Sequence, residues 1–287
     1  MVMFQQIINL MKLRIGVIMM LTALVAMVVT PGQALDGLQI LVLAFAVLIS
    51  AGSAGAFNQY FEVDLDCVMQ RTKDRPFVTG RFQKSPLWVV FILLLLATGV
   101  GSAALFLNAA AAFYIFLGAF FYAIIYTVLL KRRTWMNIVI GGASGSFAVL
   151  AGAAAVDPVL GPVPVLLALV LFFWTPSHFW SLAIAKHQEY AKVGVPMLPV
   201  VIGDQRTAVV VMANTLILVG LSILPYFYGL GWIYLVGAAS GGGYFIYQNY
   251  KMILDPSAKV AMQSFFASLV QLVLLLLAAV LDVFILA

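Results

Sequence analysis

The sequence predicts an all-α membrane protein whose helices cross a bilayer many times. Of the 287 residues, 64% are hydrophobic and only 9% are charged, whereas a soluble domain averages about 25% charged residues. Apolar runs long enough to span a bilayer follow one another along the chain. These two observations predict a polytopic helical bundle, and we expect a single transmembrane domain over residues 1–287.

The apolar runs and the basic residues together predict nine spans. A short amphipathic stretch, residues 4–13, precedes the first run. With nine spans, all fifteen Lys and Arg residues lie on one side of the membrane. This positive-inside pattern predicts a cytoplasmic N-terminus and a C-terminus outside. The predicted spans are 15–31, 37–59, 86–107, 110–130, 137–156, 163–185, 207–226, 229–249 and 264–286.

The N-terminus and the composition restrict the class of protein further. The first residues lack the basic start of a secretory signal and the Arg and Ser richness of a transit peptide. We therefore expect a bacterial plasma-membrane protein inserted by its own helices.

A single cysteine, Cys67, excludes an internal disulfide and a multi-cysteine metal site. Because the bases follow the topology, the net charge of +5 does not indicate nucleic-acid binding.

An acidic stretch, residues 58–76, follows the second span and predicts a metal site. If the helix continues through it, Asn58, Glu62 and Asp66 fall at i, i+4 and i+8 on one face. Amide and carboxylate oxygens are the ligands that Mg²⁺ prefers. Asp64 joins this face only if the helix unwinds. The alternative is an ordinary helix end whose charges pair in water, but ionisable groups beside apolar membrane surface favour a functional interpretation.

The sixth span ends in a second group of ionisable residues. If its helix continues, His178, Lys186 and Glu189 share one face, with Glu189 near the inner surface. His178 lies deeper, between Trp174 and Trp180. A lone histidine is more often a hydrogen-bonded structural group, yet its position inside a membrane span favours a functional role.

The KRRTWMN stretch, residues 131–137, has two compatible interpretations. Three bases at a helix end are what the topology requires. Lys131 or Arg133 can also contact phosphate oxygens through charge-assisted hydrogen bonds. The chain thus combines two acidic helix ends, bases between them and an apolar interior. These features suit a ligand that has an anionic head with a bound divalent cation and a long apolar tail, such as a prenyl diphosphate.

At these residues the sequence resembles the UbiA-type intramembrane prenyltransferases, and most closely the branch that comprises the protoheme IX farnesyltransferases (heme O synthases). Asn58, Glu62 and Asp66 match the first motif of the superfamily. The heme-specific form adds the acid at Asp64 and the tail M-x-R-T-x-x-R-P, residues 69–76. Further motifs agree in the family's order: YT-x-x-LKRRT-x-x-NIVIGG at 126–142, WTP-x-HFW at 174–180, and an acid and Tyr followed by GVPMLPV over 189–200.

The sequence departs from the family pattern at a few positions. Glu62 and Glu189 stand where the family usually has Asp, which keeps two metal-binding carboxylates. The residues at 148–149, Ala and Val, replace a frequent pair of prolines, and Ser177 replaces another proline. These proline losses are expected to change the local backbone.

The resemblance implies nine helices around a central cavity, with farnesyl diphosphate and heme b as substrates and heme O as product. It implies the lipid bilayer as surroundings, and heme-biosynthesis or terminal-oxidase assembly proteins as further partners. The implied Mg²⁺ ligands are Asn58, Glu62, Asp66 and Glu189, and the other implied catalytic residues are Arg71, Arg75 and Lys131. The implied substrate-binding residues are Asp64, Arg133, Asn137, Trp174, His178 (a candidate heme contact), Lys186 and Tyr190.

Two other functions are compatible with parts of this pattern. A sister enzyme that prenylates an aromatic acid or a quinone precursor shares the Mg²⁺ site but needs no heme pocket. A secondary transporter of an anionic metabolite needs ionisable groups near the bilayer midplane and interrupted helices. The charges here cluster at one surface, which favours chemistry on a lipid-like substrate.

The predicted number of nine spans determines which loops should face the cytoplasm. Because all fifteen bases fall on one side of nine spans, the loops 62–85 and 186–206 should be cytoplasmic. Reporter fusions that are active only in the cytoplasm or only outside it measure the location of each loop. An outside location for either loop would contradict the number of spans and the cytoplasmic site.

Overall fold

The structure, a computed structural model, describes residues 2–286, with side chains from residue 5 onward. Every regular element in this range is a helix. The helix α6 continues into a π-helical segment, Phe121–Leu130, and α11 continues into a 3₁₀ segment, Leu224–Tyr228. The α-helices are α1 Val2–Leu10, α2 Leu13–Val29, α3 Gly37–Phe61, α4 Val63–Asp66, α5 Pro86–Phe106, α6 Ala109–Phe120, α7 Asn137–Val156, α8 Pro162–Ala185, α9 His187–Lys192, α10 Leu198–Ile202, α11 Asp204–Ile223, α12 Trp232–Leu254 and α13 Ala258–Leu286.

Seven of the helices in residues 2–286 are long and apolar enough to cross a membrane, by length and composition. The helix α2 is apolar but shorter, with 17 residues, and α12 has 23 residues where the eighth span was predicted. The prediction of an all-α bundle is confirmed. The number of nine spans and the orientation of the termini stay predictions.

The long helices form a closed ring of neighbours. In chain order α2, α3, α5, α6, α7, α8, α11, α12 and α13 each pack against the next, and α13 packs back on α2. The helices α2 and α7 also pack directly across the bundle. Gly152 makes this contact possible because a Cβ at that position would collide with the backbone of Ala23. Small residues permit such close approach of helices.

Local sequence signals explain where several helices begin. Asp36 and Gln39 form a capping box, in which each side chain accepts a hydrogen bond from the other residue's backbone N–H. The Asn108 side chain accepts from the backbone N–H of Ala111 and so caps α6. Pro86 occupies the first turn of α5, where its missing N–H leaves no helical bond unmade.

The helix does not continue without interruption through either acidic group, so the helical spacing considered for them does not apply. The helix α3 ends at Phe61, Glu62 leaves helical geometry at φ −97° and ψ 22°, and α4 follows. Likewise α8 ends before Lys186, at φ −119° and ψ 27°, and α9 follows. Backbone hydrogen bonds persist on both sides of each break, so each interruption is confined to one residue. The break at Glu62 coincides with an ion pair to Lys131, a base distant in the chain.

A cavity of about 750 Å³ lies in the part of the bundle that precedes α10. Its lining residues fall between positions 5 and 195 and come from α1, α2, α3, α4 with the loop after it, α6 with its π-helical segment, α7, α8, and α9 with the segment after it. The helices α11, α12 and α13 lie behind α8 and contribute no lining residue in the part of the chain that the structure describes. The expectation that all nine helices surround the cavity is therefore too broad.

Buried polar side chains join α8 to the helices behind it. Ser177 accepts hydrogen bonds from Asn214 at 2.7 Å and from Thr215 at 2.9 Å. Asn249 donates to Thr215 and accepts from Ser264. Ser177 stands where the resemblance expects a proline, so this departure from the family adds an interhelical contact to α8.

Candidate active site

An ion pair between two loops stands at the mouth of the cavity. The carboxylate of Glu62 is fully buried, and Lys131 Nζ lies 2.5 Å from its Oε2. Lys131 follows the π-helical segment directly, and its ammonium group also lies 5.7 Å from the centroid of the Tyr126 ring. Burial lowers the pKa of Lys131, while the neighbouring Glu62 acts in the opposite direction. Removing either charge leaves the other buried without its partner.

The tail of the acidic stretch folds back to form a second ion pair. Arg75 Nη1 lies 2.5 Å from Oδ2 of Asp66, which is 3% exposed. The Thr72 hydroxyl donates to the backbone carbonyl of Asp66 at 2.9 Å, and Met69 packs in the apolar core beside it. The M-x-R-T-x-x-R-P tail is therefore a series of turns that returns an arginine to the acid nine residues before it.

The amide of Asn58 is held in one orientation from two sides. Its Nδ2 donates to the Thr127 hydroxyl at 3.0 Å, and its Oδ1 accepts from Lys12 Nζ at 2.6 Å. Thr127 in turn donates to the carbonyl of Tyr122, five residues earlier in the π-helical segment. Such π-helical turns inside α-helices are frequent at functional sites.

Lys12 is a site residue that the sequence analysis did not identify. It lies in the α1–α2 turn, with a left-handed backbone at φ 50°, and its ammonium group donates to Asn58 and to the Tyr122 hydroxyl. Burial lowers the pKa of Lys12 to about 7. A non-glycine residue in this conformation costs about 1–3 kcal/mol and is found most often at functional sites. A base before the first span is also expected from membrane topology alone, so the sequence does not distinguish a site residue here from a topological one.

The oxygen atoms at the mouth fit a divalent cation that also binds a phosphate ligand. Glu62 Oε1 is buried and has no hydrogen-bond partner, and Asn58 and Asp66 present further oxygens beside the cavity. In residues 2–286 no group of three Asp, Glu, His or Cys side chains is placed to hold a metal ion. Mg²⁺ commonly binds one or two carboxylates and completes its shell with substrate phosphates and water. The residues present therefore suit Mg²⁺ together with a diphosphate.

Glu189 forms its ion pair within its own segment of the chain. Its Oε1 is 3.3 Å from Lys186 Nζ, its Oε2 is buried without a hydrogen-bond partner, and neither Glu189 nor Lys186 lines the cavity. The following residue, Tyr190, does line the cavity, and burial raises the pKa of its phenol. A role for Glu189 as the fourth metal ligand stays a prediction.

His178 lies behind the cavity wall. Trp174 lines the cavity, and the His178 ring stacks on its outer face with centroids 4.2 Å apart. Phe265 stacks on the other side of the imidazole at 4.2 Å, and Nδ1 lies 2.6 Å from the Ser268 hydroxyl. The Trp174 indole N–H donates to the Ser268 carbonyl. This placement favours the structural alternative for His178 over direct contact with a ligand in the cavity.

Three further predicted site residues, Asp64, Arg133 and Asn137, do not line the cavity. Asp64 is exposed and forms an ion pair with Arg132, and Arg133 is also exposed. Asn137 is buried and donates to the Thr134 carbonyl at 2.7 Å, which closes the turn before α7. Asn137 therefore shapes the turn that carries Lys131.

The cavity combines a cationic mouth with an apolar interior. Lys12, Arg14 and Arg71 line the mouth and make no ion pair with a carboxylate among the described residues. The interior contains the apolar or aromatic side chains Met19, Tyr114, Ile115, Ala148, Leu171 and Phe179. Such a cavity can bind an anionic head at its mouth and exclude water from an apolar chain inside.

The buried ion pair at the mouth makes a testable prediction. Lys131→Met should lower the free energy of unfolding by about 3–5 kcal/mol because it leaves the Glu62 carboxylate buried without a cation. Thermal unfolding of the purified, solubilised protein measures the change. The double variant Lys131→Met with Glu62→Gln should recover much of the loss, since neither charge then remains. An unchanged melting temperature for Lys131→Met alone would contradict the pairing.

Comparison with known proteins agrees with the fold and shows the family. Residues 19–270 match the model of the UbiA prenyltransferase family. The chain is 53% identical over 271 residues to protoheme IX farnesyltransferase 2 of Paramagnetospirillum magneticum, with 94% of each chain covered. Among solved structures, one of digeranylgeranylglyceryl phosphate synthase superposes with a TM-score of 0.82 at 20% identity over 99% of each chain.

A second solved structure, a UbiA homolog from Archaeoglobus fulgidus bound to DMAPP and Mg²⁺, superposes with a TM-score of 0.71 at 13% identity. It covers 94% of this chain and 99% of its own. At this level of identity both structural likenesses establish the fold. The family match covers most of the chain and the sequence relative covers nearly all of it. The chain therefore belongs to the UbiA prenyltransferase family.

Proposed function

We propose that this protein transfers a farnesyl group from farnesyl diphosphate to a vinyl group of heme b (protoheme IX), with hydration, and so forms heme O. The observation that carries the choice of heme is the 53% identity, over 94% of both chains, to a relative named protoheme IX farnesyltransferase 2. The heme-specific tail, residues 69–76, supports the same choice because it folds directly onto the mouth of the cavity.

The chemistry of the mouth supports diphosphate binding. Mg²⁺ held by Asn58, Glu62 and Asp66, with Glu189 as the predicted fourth ligand, would neutralise the diphosphate and help it to leave. Arg71 has no carboxylate partner among the described residues and is free to bind phosphate oxygens. These groups stabilise the negative charge that develops on the leaving diphosphate.

The reaction forms a C–C bond and a C–O bond at the heme vinyl group. The bond between C1 of the farnesyl group and the diphosphate oxygen breaks, and its electron pair leaves with the diphosphate. The π bond of the vinyl group breaks as its electron pair joins the terminal vinyl carbon to C1. Water then adds its oxygen to the other vinyl carbon, and one of its O–H bonds breaks to release a proton. The apolar interior, including Leu171 and Trp174, holds the farnesyl chain and keeps other water from the allylic cation.

The proposal places the active site at the cytoplasmic face of a bacterial plasma membrane. It includes nine spans, one domain over residues 1–287, an N-terminus inside and a C-terminus outside. The distribution of the fifteen bases supports this orientation. Heme-biosynthesis or terminal-oxidase assembly proteins are the proposed partners, because heme O is a product that another protein must receive.

An aromatic acceptor is the nearest alternative. The Mg²⁺-diphosphate half of the site is equally suited to a UbiA enzyme that prenylates an aromatic acid or a quinone precursor. The apolar cavity of about 750 Å³ does not by itself distinguish the two acceptors. The identity to the farnesyltransferase named above favours heme. The clustering of ionisable groups at one end of the cavity also disfavours a transporter.

The decisive experiment offers both classes of acceptor to the purified protein. With farnesyl diphosphate and Mg²⁺, heme b should be converted to heme O, and 4-hydroxybenzoate should remain unprenylated, as measured by mass spectrometry of the extracted products. Asp66→Asn serves as the inactive control, and Asp255→Asn, at an exposed loop far along the chain, should retain activity. A prenylated benzoate with unchanged heme b would establish the sister-enzyme alternative instead.

A further inference from the structure

Asp64 lies in α4, outside the lining of the cavity. It is 63% exposed, and it binds both arms of the Arg132 guanidinium, with distances of 2.7 Å from Nη1 to Oδ2 and 2.8 Å from Nη2 to Oδ1. A two-bond pair of this kind fixes direction as well as distance. Neither residue lines the cavity. This geometry does not fit a residue that contacts the substrate.

Arg132 is held on a second side by an aromatic ring. Its guanidinium carbon lies 5.8 Å from the centroid of the Phe61 ring. Phe61 is the last residue of α3 and Asp64 lies in α4, so Arg132 contacts both sides of the helix break at Glu62. Hydrogen bonding to Arg132 lowers the pKa of Asp64, and the same contact raises the pKa of Arg132.

Two consecutive bases bind two acids of the opposite loop. Lys131 pairs with Glu62, and Arg132 pairs with Asp64. The first pair is buried at the cavity mouth and the second is at the surface. The helix α4 has only four residues, too few to be stable without tertiary contacts. Its position, and with it the direction of the Glu62 carboxylate, depends on contacts such as these.

We propose that Asp64 is a positioning residue. Its ion pair with Arg132 fixes α4 against the turn at residues 131–134, and this contact places Glu62 and Lys131 at the diphosphate site. This inference rests on the proposed function for its effect on catalysis. It replaces the expectation that Asp64 binds substrate. Arg132, which the sequence analysis did not single out, becomes its necessary partner.

The test uses exchange of the two charges. Asp64→Arg and Arg132→Asp each place like charges opposite one another, and the double variant restores an opposite pair in reversed order. Arg132→Lys retains the charge but loses the two-bond geometry. Asp255→Asn and Arg81→Gln are the matched controls, since both residues are exposed and lie outside the cavity lining.

The native cysteine provides a direct measure of the position of α4. Cys67 is the only cysteine of the chain, it is exposed, and it follows α4 immediately. A nitroxide attached there reports loop mobility by electron paramagnetic resonance without any further substitution. Both single charge reversals should increase this mobility, Arg132→Lys should increase it less, and the double exchange should return it towards the wild-type value.

Binding and kinetics then test the effect on the site. Each single reversal should weaken the binding of farnesyl thiodiphosphate in the presence of Mg²⁺ by about five-fold, from the size of a well-ordered surface pair. The KM for farnesyl diphosphate should rise in parallel while the KM for heme b stays unchanged. The double exchange should recover most of the affinity. The binding and mobility readouts need no acceptor, so they remain interpretable if the acceptor is not heme.

Three results would overturn the proposal. Unchanged nitroxide mobility in both single variants would show that the pair does not hold α4. Increased mobility with unchanged analogue affinity would show that α4 does not position the site. Loss of affinity in Asp64→Arg and Asp64→Asn, with wild-type affinity in Arg132→Asp, would show that Asp64 acts on the ligand directly. A melting curve for each variant identifies loss of fold, and Arg132→Lys still decides the question if a reversal does not fold.

Discussion

A carboxylate buried at the edge of an apolar cavity requires a cation beside it, and Lys131 meets this requirement for Glu62 at 2.5 Å. The two residues come from loops that are 69 positions apart in the chain. Glu62 is the single residue between α3, which ends at Phe61, and α4. The π-helical segment before Lys131 contributes to the same arrangement, because its Thr127 orients the amide of Asn58.

The same electrostatic requirement organises the rest of the mouth. Asp66 is matched by Arg75 from its own loop, and Asn58 Oδ1 is matched by Lys12 from the turn before α2. Asn58, Glu62 and Asp66, the three proposed metal ligands at the mouth, thus each have a base beside them. If Mg²⁺ and a diphosphate bind together, as proposed, the charges of the cation and the anion largely offset one another in this poorly solvated region.

The division of the bundle also has a functional consequence. The cavity is lined by residues that precede α10, whereas α11 and α13 pack against α8 from behind and α12 packs against those two helices. His178 links the two parts, since it stacks on Trp174 at the cavity wall and bonds to Ser268 in α13. The buried His178 therefore supports Trp174 in the wall of the apolar cavity.

The sequence predicts the helices of this protein well, because apolar length and the distribution of bases are properties of the chain itself. It also singles out Asn58, Glu62, Asp66, Arg75 and Lys131, which the structure brings together, since acids and bases at helix ends stand out in an apolar sequence. The breaks at Glu62 and Lys186 do not follow from helical spacing, which assumes regular backbone angles at every residue. Lys12 and Arg132 were missed for a related reason: topology alone accounts for bases at those positions. The two alternatives for His178, a structural group and a heme contact, stayed open because periodicity cannot distinguish a residue that lines a cavity from one packed behind the lining.

The measurement that tests the central claim most directly is the Mg²⁺ dependence of diphosphate binding. Isothermal titration of the purified protein with farnesyl thiodiphosphate should show binding that requires Mg²⁺ and has a negative heat-capacity change from burial of the apolar chain. Glu62→Gln and Asp66→Asn should each lose most of this affinity, whereas Asp255→Asn should keep it. Equally tight binding without Mg²⁺, or unchanged Mg²⁺-dependent binding in both acid variants, would contradict the assignment of these oxygens to a metal-diphosphate site.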